Sequence, residues 1–259
     1  MNRFLLMLVS MLVLGTGICF AQVVTTERVP EKQPIEVVQP NWLTHEHTSQ
    51  CELTSPEPVQ IICILDRSGS MRPVVGDTIG GYNSFLEKQR KEKGSAEVTT
   101  VLFDDKYEKL VEAKDIKSVP ELTNKEYYAR GMTALLDAVG RTVTDTFDRM
   151  NKEGICPAKR RVLFLIMTDG KENNSKEYTK ADVKAMIEKA TEEYNWNFIF
   201  MGANIDSVSE AASIGIKADH AVDFAHDAEG VRQSFAYMDA AAKELREEGT
   251  VGENWKKAN

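Results

Sequence analysis

Cysteine and histidine are scarce: the 259-residue chain holds four of each. Their spacings fit no zinc pattern, which removes a structural zinc fold from consideration. His45-Glu46-His47 sets its histidines two apart beside prolines, whereas a metalloprotease helix needs them four apart; solvated linker histidines are the better reading. Also missing are a G-x-S-x-G elbow, a phosphate-cradling glycine loop and an internal repeat. A clear general base is absent too, since His220 and His226 merely sit near a late strand. Positive charge is in deficit, with 32 Lys and Arg against 40 Asp and Glu, a formal net charge of −8. An acidic surface would repel phosphates, so a nucleic-acid partner is not expected.

Apolar material is ample. Hydrophobic residues make up 42% and charged residues 28%, enough for the core of one large α/β domain or two small ones. Arg3 is the only charge ahead of an apolar run over 4–14, and Ala21 offers a small residue where the run breaks. This reads as a secretory signal over 1–21, cleaved after Ala21, with an exported product, periplasmic or extracellular. The alternative is an uncleaved anchor, but the run is shorter than the ~20 residues a span needs. A membrane therefore enters only if the signal is retained or the chain is lipidated. Lipidation at Cys19 would require a smaller residue than Ile18 before it.

Residues 22–57 show no period and carry four of the eight prolines, with a fifth at Pro58 just beyond, which reads as a linker or extended arm. From residue 59 the pattern becomes regular. Residues 59–65 and 161–167 are nearly continuous apolar runs, as expected of strands covered on both faces. Residues 96–103 and 107–111 read as a hairpin across Asp104-Asp105-Lys106. Helices are expected over 78–91, over 133–150 and after Thr179, where Asp182 completes a capping box. Strands are expected over 197–201 and 221–224. A closing helix carries Val231, Phe235, Met238, Ala242 and Leu245 on one side and stops at Gly249. The alternation implies a doubly wound, mainly parallel sheet with an antiparallel edge strand and helices on both faces. Cys63 falls within a buried strand and is a small hydrophobe. Cys51 and Cys156 each precede a strand and could pair, two free thiols being the alternative.

The chemistry gathers where the buried strands end. The first runs into Asp66-Arg67-Ser68-Gly69-Ser70-Met71, the second into Thr168-Asp169-Gly170. Ligands in open α/β sheets collect at the carboxyl ends of strands, so these turns share one rim. Thr133, opening the central helix, can present its hydroxyl there. A group of Asp66, Ser68, Ser70, Thr133 and Asp169 offers only oxygens, which suits a hard cation, Mg²⁺ or Mn²⁺. Two carboxylates nearly balance its charge, leaving room for one more anionic oxygen. Each residue alone also has a structural reading: turn caps for the aspartates and serines, a helix N-cap for Thr133.

The D-x-S-x-S of Asp66, Ser68 and Ser70, the Thr133 in T-A-L-L-D-A and the T-D-G of Asp169 together resemble the metal-ion-dependent adhesion site of von Willebrand factor type A (vWA) domains. Its short bacterial members are the nearest in kind. The resemblance implies a Rossmann-like, vWA-like domain over 58–250, with 251–259 left as a tail. It implies a metal on Ser68, Ser70 and Thr133, with Asp66 and Asp169 acting directly or through water. It also implies a protein partner that offers a Glu or Asp carboxylate to the metal. Residues expected to flank the rim toward that partner are Arg67, Met71, Asp104, Asp105, Met132, Glu172 and Asn173. The expected function is a cation-dependent adhesion or scaffold module, not an enzyme. The alternative is a Mg²⁺-dependent hydrolase or phosphotransferase using Asp66, disfavoured because Ser68 stands where Asp-based phosphatases place a second carboxylate.

Overall fold

A computed structural model of the protein describes residues 58–258. The expected signal, the arm and Cys51 lie outside the described residues. Among the described residues six strands form one sheet, in the order β3-β2-β1-β4-β5-β6. They are β1 (Val59–Asp66), β2 (Ala96–Phe103), β3 (Tyr107–Asp115), β4 (Val162–Thr168), β5 (Asn197–Gly202) and β6 (Ala221–Asp223). Every pairing is parallel except β2 with β3, the hairpin at one edge. The α-helices are α1 (Val75–Lys91), α2 (Leu135–Lys152), α3 (Lys180–Tyr194), α4 (Ser207–Ser213) and α5 (Ala228–Glu248). The fold class is therefore the expected one: a Rossmann-like, doubly wound α/β sheet with a single antiparallel edge strand.

The continuous apolar strands are explained by two cores, one on each face. In β1 the alternation sends Ile61, Cys63 and Leu65 to the face covered by α1 and α5. Ile62 and Ile64 go to the face covered by α2, α3 and α4. Every residue of β1 and β4 is buried, so neither strand can show a polar–apolar alternation. Burial pushes the Cys63 thiol up to about 12, which makes it an inert core atom. Cys156 is disulfide-bonded; the expected pairing with Cys51 falls outside the described residues.

Element bounds differ from the sequence expectation for identifiable reasons. A 3₁₀ turn over Gly69–Val74 leads straight into α1, so the helix begins before Thr78. β3 continues to Asp115 across a bulge opposite Val98–Thr100. The expected capping box on α3 is present, with Thr179 and Asp182 each bonding the other's backbone. The short α4, with Asp206 as its cap, has too few apolar repeats to be seen by periodicity.

The segment expected as a tail does not hang free. Gly249 turns the chain at φ +84°. Val251 N–H then donates to Asn197 Oδ1 at 3.1 Å, and Gly252 N–H donates to Glu244 Oε1 at 2.8 Å. Val251 and Trp255 are buried in the core beside α5. Among the described residues the domain thus includes 251–258. Trp255→Ala is expected to lower the free energy of unfolding by about 3–5 kcal/mol, the usual range for a fully buried large aromatic. Urea denaturation checks this; a loss under ~1 kcal/mol would mean that the segment frays at no cost.

Candidate metal centre

β1 is the central strand, and its last residue, Asp66, sits between the ends of β2 and β4. Its carboxylate is buried and spends both oxygens locally. Oδ1 accepts from Ser68 N–H at 2.6 Å, and Oδ2 accepts from Thr168 Oγ1 at 2.6 Å. The buried Tyr127 hydroxyl donates to the Asp66 carbonyl and fixes the strand end from below. Burial pushes the Asp66 carboxyl up to about 6; the bonds from Thr168 and Ser68 oppose this, and Asp169 adds to it.

The loop after β1 brings the two serines together. Ser68 Oγ and Ser70 Oγ are 3.0 Å apart, and Ser70 Oγ donates to Asp169 Oδ1 at 2.7 Å. Asp169 follows directly on β4 and is 2% exposed, so the second carboxylate is also out of water. Its other oxygen, Oδ2, has no hydrogen-bond partner among the described residues. His226 Nε2 comes within 2.9 Å of it, a hydrogen-bond distance without hydrogen-bond angles, since Nε2 is likewise unsatisfied.

Thr133 arrives from a third loop. The structural reading made it a helix N-cap; α2 is instead capped at Ala134, with no side-chain bond, so the Thr133 hydroxyl is not used in capping. The loop after β4 supplies the missing partners. Leu136 N–H donates to Glu172 Oε2 and Asp137 N–H donates to Ser175 Oγ, each at 3.0 Å. Thr133 N–H donates to Asn173 Oδ1 at 2.9 Å, and its carbonyl accepts from Asn173 N–H at 3.0 Å. A β-carbon on Gly170 would stand 3.6 Å from Thr133 Oγ1 and 3.9 Å from Ser70 Oγ. Both hydroxyls therefore flank the Asp169-Gly170 turn. Gly131 makes this possible: at φ +66° a β-carbon there would run into Asp105 Oδ1, at 2.0 Å.

The donor set fits a divalent cation. Two buried carboxylates face one another across hydroxyls, one is raised by burial, and the other leaves an oxygen unsatisfied. Among the described residues no group of three or more His, Cys, Asp or Glu side chains surrounds a metal position. That is consistent with a site whose remaining ligands would be serine and threonine hydroxyls. The chemistry is hard and oxygen-rich, as Mg²⁺ or Mn²⁺ prefers.

The expected rim needs correction. Arg67, Met71 and Asp104 are fully buried, so they do not stand on an exposed rim. Met71 packs into the core with Val74 and Leu65. Arg67 Nε donates to Asp104 Oδ2 at 2.9 Å, Nη1 to the Glu126 carbonyl at 3.0 Å and Nη2 to Glu108 Oε2 at 2.6 Å. Asp104 also accepts from Arg130 Nε at 2.7 Å and Lys106 N–H at 2.7 Å. Burial would raise the Asp104 carboxyl, but the Arg130 and Lys106 bonds and the Arg67 charge outweigh it and hold it below the usual range. Glu172 is half-buried and occupied in capping, while Asp105, Met132 and Asn173 are exposed. Sequence reasoning missed Thr168, Tyr127 and Arg130. Only Thr168 carried a signal, as the residue before Asp169 at the end of an apolar strand.

No protein-family model matches the chain, and no curated protein matches it. Likenesses exist among solved structures. Proximal thread matrix protein 1 from the mussel byssus is 13% identical over 71% of this chain and 47% of its own, at TM-score 0.53. This chain thus spans about half the length of that protein. The manganese-loaded TRAP protein of Plasmodium vivax is 16% identical over 71% of this chain and 74% of its own, at TM-score 0.50. A von Willebrand factor type A structure from Catenulispora acidiphila is 18% identical over 73% of this chain and 43% of its own; its TM-score of 0.48 carries no further argument. At such identities the likeness is one of fold, and the fold is vWA-like.

Proposed function

We propose that the protein is an exported, non-catalytic binding module that holds Mg²⁺ or Mn²⁺ on Asp66, Ser68, Ser70, Thr133 and Asp169 and presents it to a carboxylate of a partner protein. The observation that carries this reading is the meeting of two buried carboxylates at one strand-end rim with the Ser68 and Ser70 hydroxyls between them. Two aspartates nearly neutralise a doubly charged ion, and an uncharged remainder leaves it attractive to one further anion. Ser70, Met132 and Asn173 are exposed beside the site, so an outside side chain has access to it. The manganese-loaded Plasmodium vivax neighbour supports a divalent ion in this fold. The reading as a short bacterial-type adhesion site rests on the three motifs.

Titration calorimetry is the direct test. Mg²⁺ or Mn²⁺ is expected to bind the wild-type chain, and Asp66→Ala to abolish the heat. Equal heats for both proteins would sink the metal assignment. Capture of proteins from an envelope extract in Mg²⁺ and again in EDTA tests the second half; retention in both would argue against metal-borne recognition. Turnover of a phosphate ester that vanishes in Asp66→Ala would overturn the non-catalytic reading.

A further inference from the structure

His226 lies outside the three motifs, yet the fold delivers it to the same place. β6 is the last strand, paired with β5, which pairs with β4. The ladder continues past the strand ends: Ala203 N–H donates to the Thr168 carbonyl at 3.0 Å, and Phe224 N–H donates to the Gly202 carbonyl at 2.9 Å. Residues 224–227 are thereby drawn toward the turn that carries Asp169. Their conformation is set tightly. Asp227 caps α5 by accepting from Gly230 N–H at 2.8 Å. The Ala225 carbonyl sits so close to Gly230 that a β-carbon would approach it to 1.9 Å. Between those two anchors, His226 is turned inward with only 18% of its side chain exposed.

The contact it makes is unusual. Asp169 Oδ2 and His226 Nε2 are both buried, 2.9 Å apart, and neither has a hydrogen-bond partner among the described residues. An unmade bond between two buried polar atoms is costly, so the arrangement calls for a third group. Two neighbouring ligands of an octahedral ion with bonds of about 2.1 Å stand about 3.0 Å apart, with lone pairs aimed at the ion and not at each other. The Asp169–His226 pair meets that spacing, as does the Ser68–Ser70 pair at 3.0 Å.

We propose that His226 is a further metal-ligating residue, whose Nε2 joins Asp169 Oδ2, Ser68, Ser70 and Thr133 on the bound cation. Asp66, with both oxygens bonded to Ser68 and Thr168, acts through water, and the sixth position stays open to the partner's carboxylate. This rests on the metal reading above and goes beyond it. An imidazole nitrogen in an otherwise oxygen-only set favours first-row transition metals over Mg²⁺. The site is then a Mn²⁺-preferring one, and the last helix is tied through its N-terminal loop to the ion.

Pulsed electron paramagnetic resonance of the purified chain loaded with one equivalent of Mn²⁺ tests this. Modulation from a directly bound ¹⁴N is expected in wild type and in His220→Gln, and is expected to vanish in His226→Gln. Calorimetry on the same proteins should show His226→Gln lowering the Mn²⁺ affinity at least tenfold more than the Mg²⁺ affinity. Bound Mn²⁺ without nitrogen modulation in wild type would overturn the assignment, as would modulation that persists in His226→Gln. Equal losses for the two metals would also overturn it, reducing His226 to a packing residue. Absence of any Mn²⁺ or Mg²⁺ binding to wild type is a different result: it would remove the metal reading itself.

Discussion

In EDTA at neutral pH, Asp66→Asn is expected to be more stable than wild type, by as much as about 3 kcal/mol, and to lose all response to added Mg²⁺ or Mn²⁺. The cause is the cost of an ionised Asp66 without a cation. Burial raises its carboxyl in the folded state from 3.8 to about 6. A carboxyl shifted upward on folding is a liability above about 6, where it is ionised in both states. The liability shrinks as pH falls through the folded value and is gone below the unfolded one. At this group, acid therefore stabilises the cation-free fold between about pH 6 and about pH 4, against the usual trend. Asparagine keeps a carbonyl for Ser68 N–H and can give an amide hydrogen to Thr168 Oγ1, so both contacts survive. Urea titrations at several pH values, with and without metal, give the result. A wild type gaining about 2.7 kcal/mol at one hundred times its dissociation constant, beside an unresponsive variant, is the expected pair. Loss of stability in cation-free Asp66→Asn would show that the carboxylate is satisfied without an ion.

Arg67→Met is the substitution expected to damage the fold most among those near the site. Arg67 and Asp104 are both fully buried, so removing the guanidinium leaves a carboxylate in low dielectric with Arg130 as its remaining cation. Breaking such a pair typically costs about 3–5 kcal/mol, far more than the intact pair contributes relative to an apolar replacement. Arg67 also holds the Glu126 carbonyl, and its own carbonyl accepts from Arg130 N–H, so the loop before Thr133 should loosen with it. The double variant Arg67→Met/Asp104→Asn is expected to recover part of the loss, because it no longer strands a charge. Urea denaturation of both variants gives the comparison. A single-variant cost under about 1 kcal/mol would mean that Arg130 alone suffices for Asp104.

The contrast between Asp66 and Arg67 shows what the sequence could reveal. Asp66, Ser68 and Ser70 were legible because a short-range spacing follows an apolar strand whose end must point to the ligand-binding rim. Thr133 and Asp169 were legible for the same reason, each at the start or end of a strongly periodic element. Arg67 sits between legible residues, and its direction depends on Asp104, which is 37 positions away. A charged residue in a polar loop reads as exposed unless its buried partner is known. His226 was opaque for a related reason: its approach to Asp169 depends on β6 returning beside β5, which local pattern does not encode. Val251 and Trp255 were assigned to a tail because Gly249 gives a good helix stop, and nothing local shows what a chain does after it stops.

The central position of β1 has a consequence for the order of events in folding. Asp66 meets Thr168 across 102 residues, and Ser70 meets Asp169 across 99. No early fragment contains both halves of the rim. β1 pairs with β2 by closing a fairly short connection, whereas β4 must come back over α1, the hairpin and α2 before it can dock. Closure over that span is slow relative to local helix formation. A rim completed only after that closure would give an ion nothing to hold while the chain is still searching. An ion bound at the proposed site is then expected to delay escape from the native state, lengthening its lifetime and leaving the rate of arrival unchanged.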